Sequence, residues 1–581
     1  VAQPDYGPVK VRLSRYIHSL MAENRTAGLA IALVDGPRVV WTKGFGYADV
    51  AAGKRVTPDT VFHIGSVTKT FTAAAVMQLV ERGLVDLDAP LSRYVPGFSL
   101  RNRFPGNVIT VRSVLDHHSG IPGTLPKGAI TTGKPDPGYS AYMLRTLRSM
   151  PPTSRVNVVA GYDNSGYVLL GELVEHVTGL NLEAYAQRYL FRPIGMSSSN
   201  YDDRLAPAAR LTRNYQATYA GRKPIGVVVK PREYVNGWAT GSITSTARDM
   251  AQYLKMLVAH GQGSAGQVLT PASLRTMWTS QTNLPLDRWT CCSGLGWTLT
   301  FPQLNWAGPV VYKGGDTQYA HAMVMVLPRS DLAVAVMTNT SSGEVRGPVA
   351  ATALGLAYTA KTGRREPTTP PLPASPPASV PRPVLRAHAG LYASSAGLDR
   401  VSVASAGDSL LLTRNVGTPS ATSALFTPSR DGWFRSATDR DQIAFRTVQG
   451  RRLMLARRLK QFVPPSFFPY TDIASQRIPD VRIPPSWSAR LGSYRAQGLA
   501  PRDTIVPRSA RLVDTAGALV LDLNTGDRQV LQPASRSLAF TFGLGGRLPA
   551  LDKGDSVQAF GSPGRRTGFT YLGVRYLRVG P

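Results

Sequence analysis

Residues 366–383 (EPTTPPLPASPPASVPRP) constrain this chain more than any other stretch of it. Prolines at that density remove backbone donors and favour an extended polyproline path, so neither a helix nor a central strand can run through them. The run predicts a division into a first domain at 1–365, a linker at 366–384 and further domains beyond it. A chain of 581 residues is in any case too long for one hydrophobic core.

The two sides of the linker read differently. Before it, apolar runs alternate with helical patterns. Residues 29–34 are a continuous apolar run, and 39–47 follow after the turn at Asp35-Gly36-Pro37. From Ser66, the apolar residues Phe71, Ala74, Ala75, Met77 and Val80 predict a helix that Gly83 stops. A second helix is predicted over 167–176, ending near Gly179, and strands over 310–313, 322–327 and 332–337. Pro348 is placed to start a closing helix at 349–359.

After the linker helical periodicity almost vanishes, and the chain appears twice. Ala389-Gly390-Leu391-Tyr392 is matched by Leu491-Gly492-Ser493-Tyr494, and each copy then reaches an Ala-Gly turn, at Ala406-Gly407 and at Ala516-Gly517. Short alternating runs on both sides of a glycine turn are hairpins. Two small antiparallel β-barrels are therefore expected, at 385–485 and 486–581, with the break near Ile483-Pro484-Pro485.

Charge and cysteine content narrow the partners. Lys+Arg 66 against Asp+Glu 36 leaves +30, which points either to an acidic polymer or envelope surface or to arginine usage that is high throughout. The densest basic stretch, from Arg451 to Lys460, reads as a polyanion site or as a solvated strand edge. Specific nucleic-acid binding is not expected. The only cysteines, Cys291 and Cys292, are adjacent, and neighbours close too strained a ring for a disulfide framework. No metal-ligand spacing occurs, and no cofactor is expected.

The chemistry lies in Ser66-Val67-Thr68-Lys69. A serine hydroxyl is a weak nucleophile, and on a helix a lysine three residues on shares its face. Ser66 at the helix start also sets its own N–H where the dipole favours a developing oxyanion. Alone the motif is weak, since with 13 lysines about one Ser-x-x-Lys arises by accident. Its surroundings are more specific. The stretch from His63 to Ala75, Leu84-Val85-Asp86-Leu87-Asp88-Ala89-Pro90-Leu91 and Leu115-Asp116-His117-His118-Ser119-Gly120-Ile121-Pro122 together resemble the class C β-lactamase and penicillin-binding family. The likeness resumes at 161–179 and 240–250, and so covers most of 10–360.

That resemblance implies an α/β catalytic domain: an antiparallel sheet flanked by helices, plus a helical lobe, with the site between them. It implies Ser66, Lys69 and Tyr162 as catalytic residues, Tyr162 being the base. The family's Tyr-x-Asn is taken as Tyr162-Asp163-Asn164, which precedes a helix, over Tyr234-Val235-Asn236. Asn164 would hydrogen-bond Lys69 and substrate. The family's Lys-Thr-Gly has a literal copy, Lys361-Thr362-Gly363, which reads better as a helix end with its glycine cap. Lys313-Gly314-Gly315-Asp316, at a strand edge, is the substrate-binding motif expected, with the Ser66 and Asp316 N–H groups as oxyanion donors. Gly314 in place of threonine, and the charge of Asp316, argue against efficient β-lactam hydrolysis.

The family acts through seryl esters, as β-lactamases, D-alanyl-D-alanine carboxypeptidases, D-aminopeptidases, amidases and esterases. No Gly-x-Ser-x-Gly elbow offers another route. A catalytic domain with two barrels resembles the D-aminopeptidases, in which a loop of the last barrel limits the cleft. Here 543–547 (Gly543, Leu544, Gly545, Gly546, Arg547) or 502–506 could take that part. An acyl-serine hydrolase of small amides, esters or D-amino-acid peptides is the reading preferred. The alternatives are a class C β-lactamase and a non-catalytic basic envelope protein. The resemblance implies a periplasmic or secreted location, and the opening Val1 fits a mature form.

Overall fold

An apolar run such as 29–34 has nothing to offer water, and it folds as a strand buried on both faces, β1 (Gly28–Asp35). β1 turns into β2 (Arg38–Asp49), which pairs with the short β3 (Lys54–Arg55). β4 (Val311–Asp316), β5 (His321–Leu327) and β6 (Leu332–Thr338) complete an antiparallel sheet in the order β4-β5-β6-β1-β2-β3. β4 is therefore an edge. This computed structural model describes residues 3–101, 104–123, 125–221, 223–286, 294–342, 345–367, 375–394, 397–436, 441–463, 466–478, 482–524, 528–542, 555–561 and 567–580. Cys291 and Cys292, residues 543–547 and part of the proline run lie outside the described residues.

Helix α1 (Gly7–Asn24) packs Leu13 and Ile17 against Leu29, Ile31 and Leu33 on one face of the sheet. The other face carries the helical lobe: α2 (Thr68–Glu81), α3 (Asn164–Thr178), α4 (Trp238–Gly241) and α5 (Ala247–Val258). α6 (Arg346–Thr362) returns to the first face, beside α1. Lys361 and Gly363 end it as a capped helix: Gly363 takes φ 74°, and Lys361 Nζ meets Asp35 Oδ1 at 2.6 Å.

One difference from expectation matters for the site. A helix with an apolar face was expected from Ser66. The chain instead makes a 3₁₀ turn at Gly65–Val67, and α2 begins at Thr68. From Thr68 to Leu79 every residue of α2 is buried, polar ones included. Threonines survive there because their hydroxyls reach backbone: Thr70 Oγ1 donates to Val67 O at 2.8 Å and Thr72 Oγ1 to Ala239 O at 2.8 Å.

Beyond the linker stand two closed antiparallel barrels of eight strands each, spanning 390–477 and 492–580. The repeated Gly-x-Tyr opens both: Tyr392 OH donates to His388 O at 2.8 Å, and Tyr494 OH likewise to Arg490 O. Closure removes the edge expected for the basic stretch, because the strand Arg451–Val463 is paired on both sides. Three of its arginines also have partners within the same domain. Arg457 lies 3.9 Å from the Trp433 ring centre, Arg452 Nη2 2.9 Å from His388 Nδ1, and Arg458 Nε 3.4 Å from Asp441.

Candidate active site

Backbone approach, more than any side chain, sets where Ser66 lies. The turn Gly65–Val67 presses against the edge strand β4 so closely that neither chain tolerates a Cβ at the contact. A Cβ on Gly315 would stand 1.9 Å from Ile64 O and 2.9 Å from Ser66 N. A Cβ on Gly65, which takes φ +51°, would stand 2.3 Å from Asp316 N. The Ser66 and Asp316 N–H groups, the expected oxyanion donors, thus belong to the two backbones that meet here.

Above this contact the Ser66 hydroxyl has two neighbours. Tyr162 OH donates to Ser66 Oγ at 2.7 Å, and Lys69 Nζ donates to it at 3.2 Å. Lys69 is fully buried and also donates to Asn164 Oδ1 at 2.7 Å and to Thr240 O at 2.7 Å. The first residue of α3 and the α4 backbone therefore fix the ammonium. Lys313 Nζ stands 5.2 Å from the Tyr162 ring centre, opposite Lys69 Nζ at 5.0 Å. Alternation along β4 turns Lys313 and Gly315 toward Ser66, and Gly314 and Asp316 to the other face. Of the eight expected site residues, Ser66, Lys69, Tyr162, Asn164, Lys313, Gly315 and, with its side chain turned away, Asp316 come together, and Gly314 lies in the strand between Lys313 and Gly315.

Tyr234 does not join them. It lies in the strand Glu233–Val235 paired to Ile130–Thr132, and Asn236 Nδ2 donates to Gly128 O at 2.7 Å. That second Tyr-x-Asn is a structural clasp.

The charge balance revises one expectation. Tyr162 was expected to act as the base, which the two lysines beside its ring would favour by stabilising a phenolate. Burial outweighs them, pushing the Tyr162 phenol up, with the carboxylates of Asp316 and Asp163 adding to the effect. Lys69 moves the other way: burial, and then the charge of Lys313, hold its amine well below the usual lysine range. Burial thus favours the neutral form of both groups.

Two groups around Tyr162 have no assigned role in the sequence motifs. His117, at φ +66°, packs its ring 4.5 Å from the Tyr162 ring, and burial keeps it neutral. Asp163 is fully buried and accepts from Ser119 Oγ at 2.9 Å; burial raises it to about 7, against the pull of Ser119 and Lys69. Both lie in segments read for resemblance alone. A buried carboxyl beside a buried lysine could have been suspected only from the Asp between Tyr162 and Asn164.

The second barrel reaches the cleft through its segment 500–505. Asp503 Oδ1 accepts from Gly128 N at 2.9 Å, and Thr132 N donates to Arg502 O at 3.3 Å. On the sheet side, Gln318 Nε2 donates to Thr504 Oγ1 at 2.5 Å, just past β4. The segment thus ties the helical lobe to the strand edge. Asp503→Ala strips buried N–H groups of Gly128 and Ala500 of their acceptor, about 2 kcal/mol of local stability. Hydrogen exchange at Gly128 should then speed up by more than tenfold; an unchanged rate would mean that Asp503 does not hold the segment.

A family model described as Beta-lactamase matches residues 13–359. Unguisins hydrolase ungD' of Aspergillus campestris is 28% identical over 329 residues, 54% of this chain and 58% of that protein. The chain thus spans under two thirds of that relative. Penicillin-binding protein 4 of Amycolatopsis lactamdurans is 28% identical over 55% of this chain and 83% of its own length. D-alanyl-D-alanine-carboxypeptidase/endopeptidase AmpH of Escherichia coli K12 is 23% identical over 58% and 86%. Among solved structures, that of SurE shares the fold with a TM-score of 0.55 at 22% identity, covering 82% of this chain and all of its own. The octameric penicillin-binding protein homologue from Pyrococcus abyssi has a TM-score of 0.51 at 24% identity, over 78% and 96%.

Proposed function

This chain belongs to the beta-lactamase family of serine hydrolases, and on that premise we propose that it cleaves small amides, esters or D-amino-acid peptides through an acyl ester on Ser66. The observation that carries the reading is one hydroxyl, Ser66 Oγ, held between Tyr162 OH at 2.7 Å and Lys69 Nζ at 3.2 Å.

Ser66 Oγ attacks the substrate carbonyl carbon, and its proton passes to the Lys69 amine, directly or across Tyr162. The charge that grows on the carbonyl oxygen faces the N–H groups of Ser66 and Asp316. Collapse breaks the bond to the leaving group, which takes its proton from Tyr162. Water then attacks the ester, gives a proton to the same Lys69–Tyr162 pair and releases Ser66. Asn164 and Lys313 would hold the substrate along β4. The segment 500–505 bridges Gly128 of the helical lobe and Gln318 just past β4, and a bridge there supports short substrates. Incubation with a penicillin or a fluorophosphonate followed by intact-mass and peptide mapping tests the reading. A single adduct on Ser66 is expected; modification elsewhere alone would overturn it.

The electrostatics supply a second test. Because burial and Lys313 lower the Lys69 amine, the reactive neutral form exists above that lowered value and is lost as pH falls through it. The acid limb of kcat/KM should therefore lie well below the usual lysine value of about 10.4. It belongs to the Ser66–Lys69–Tyr162 unit as a whole. Lys313→Ala removes one repelling charge, so the limb should move to higher pH. A limb near the ordinary lysine value, or one unmoved in Lys313→Ala, would rule out the amine as proton acceptor.

A further inference from the structure

We propose that Asp316 is a built-in carboxylate that occupies the cation a substrate carboxylate would otherwise use, so that the cleft selects substrates without a free acid beside the scissile bond. This rests on the acyl-serine reading and names its substrate class.

Gly314 and Asp316 share the face of β4 turned away from Ser66, and Arg346, the first residue of α6, lies against both. A Cβ on Gly314 would be 3.8 Å from Arg346 Nη2, in ordinary contact, so only an absent side chain separates the edge strand from the guanidinium. Asp316 takes that guanidinium in a fork: Oδ1 accepts from Nη1 at 2.6 Å and Oδ2 from Nη2 at 2.9 Å. His321 Nδ1 lies 2.6 Å from the same Oδ1. The fork is the geometry in which arginine recognises any carboxylate. Here the chain supplies the acid itself.

Exposure says which partner a newcomer would meet. The Asp316 side chain is 54% exposed, whereas Arg346 is 15% and His321 18% exposed. An arriving acid therefore meets the carboxylate first, with the less exposed guanidinium and imidazole bonded to it. Burial opposes the charge on Asp316, yet His321 and Arg346 hold its carboxyl below the usual range, so it stays ionised at neutral pH. Its own N–H lies against the Gly65–Val67 turn, which places the carboxylate within a side-chain length of the oxyanion donors. Repulsion of a like charge is discrimination by an unfavourable contact, and it spares neutral and cationic substrates.

The test uses a matched pair: an N-acyl-D-alanyl thioester whose leaving group ends in a carboxylate, and its methyl ester. The quantity read is the ratio of kcat/KM values, acid over methyl ester, in the full chain. The natural protein should favour the methyl ester. Asp316→Asn keeps the backbone N–H and should raise the ratio by about tenfold or more, since it frees a charge-assisted fork. Adding Arg346→Gln to it should abolish most of that gain. Arg346→Gln alone removes the fork, leaves Asp316 with His321 only and should lower the ratio, a second reading should Asp316→Asn fail to fold. A ratio within twofold of the natural protein in Asp316→Asn, or a gain that survives the loss of Arg346, would overturn the proposal. Ser66→Ala separates the two claims: turnover of the methyl ester that persists there defeats the acyl-serine reading, while turnover lost there with an unmoved ratio in Asp316→Asn defeats this inference alone.

Discussion

Ser66→Ala should lower kcat/KM by about four orders of magnitude or more while leaving the melting temperature nearly unchanged. The asymmetry follows from what the hydroxyl does in the resting protein. It receives Tyr162 OH and Lys69 Nζ, but Lys69 keeps Asn164 Oδ1 and the Thr240 carbonyl without it. Tyr162 loses the acceptor of its hydroxyl, a cost of about 1 kcal/mol. All covalent chemistry goes with the oxygen. The check is a pair of measurements on one preparation: thermal unfolding and turnover of a p-nitrophenyl ester. Turnover within tenfold of the natural protein would remove Ser66 from the mechanism.

Gly315→Ala should be nearly as damaging to catalysis, for a reason that involves no reactive atom. The added Cβ meets three backbone atoms, Ile64 O at 1.9 Å, Val67 N at 2.8 Å and Ser66 N at 2.9 Å. None is the end of a flexible side chain. β4 is held by its full register with β5, and the turn at Gly65–Val67 is packed against α2. The two backbones must therefore part, which separates the oxyanion donors. Losing one such donor costs roughly 10²–10³ in rate, and overpacking costs roughly 1–3 kcal/mol of stability. Gly314→Ala is the contrast, because its Cβ would sit 3.6 Å from the Met323 terminal methyl on the opposite face. Its melting temperature should stay close to that of the natural protein. Should Gly315→Ala turn over substrate at the natural rate, the contact relaxes without displacing the donors.

How much of this could be read without coordinates depended on how local the physics is. The barrels announced themselves because glycine turns and alternation are neighbour effects, and each Gly-x-Tyr copy reaches a carbonyl four residues back. The end of α6 was legible for the same reason. Ser66, Lys69, Tyr162 and Asn164 were identified from residue order and resemblance, and the fold brings them within hydrogen-bonding distance. What escaped was long-range. The pairing of Asp316 with Arg346 joins a strand to a helix start 30 positions on, and no pattern predicts it. The protonation balance of Tyr162 escaped as well. Counting cations gave one sign, whereas the depth of burial, which a sequence does not display, gives the other. The solvated edge, one of two readings of the basic strand, fails because closure of a barrel is a property of all eight strands together.

The bond from Gly128 N to Asp503 Oδ1 joins residues 375 positions apart. A ribosome adding roughly 5–20 residues per second needs about 20–75 s to cover that distance. Domains fold as they emerge, so the nucleophile, its lysine and the sheet edge can be assembled while the far wall of the cleft has not yet been made. For that interval the nascent chain lacks the bonds from segment 500–505 to Gly128 and Gln318, and the tie between helical lobe and strand edge is made last.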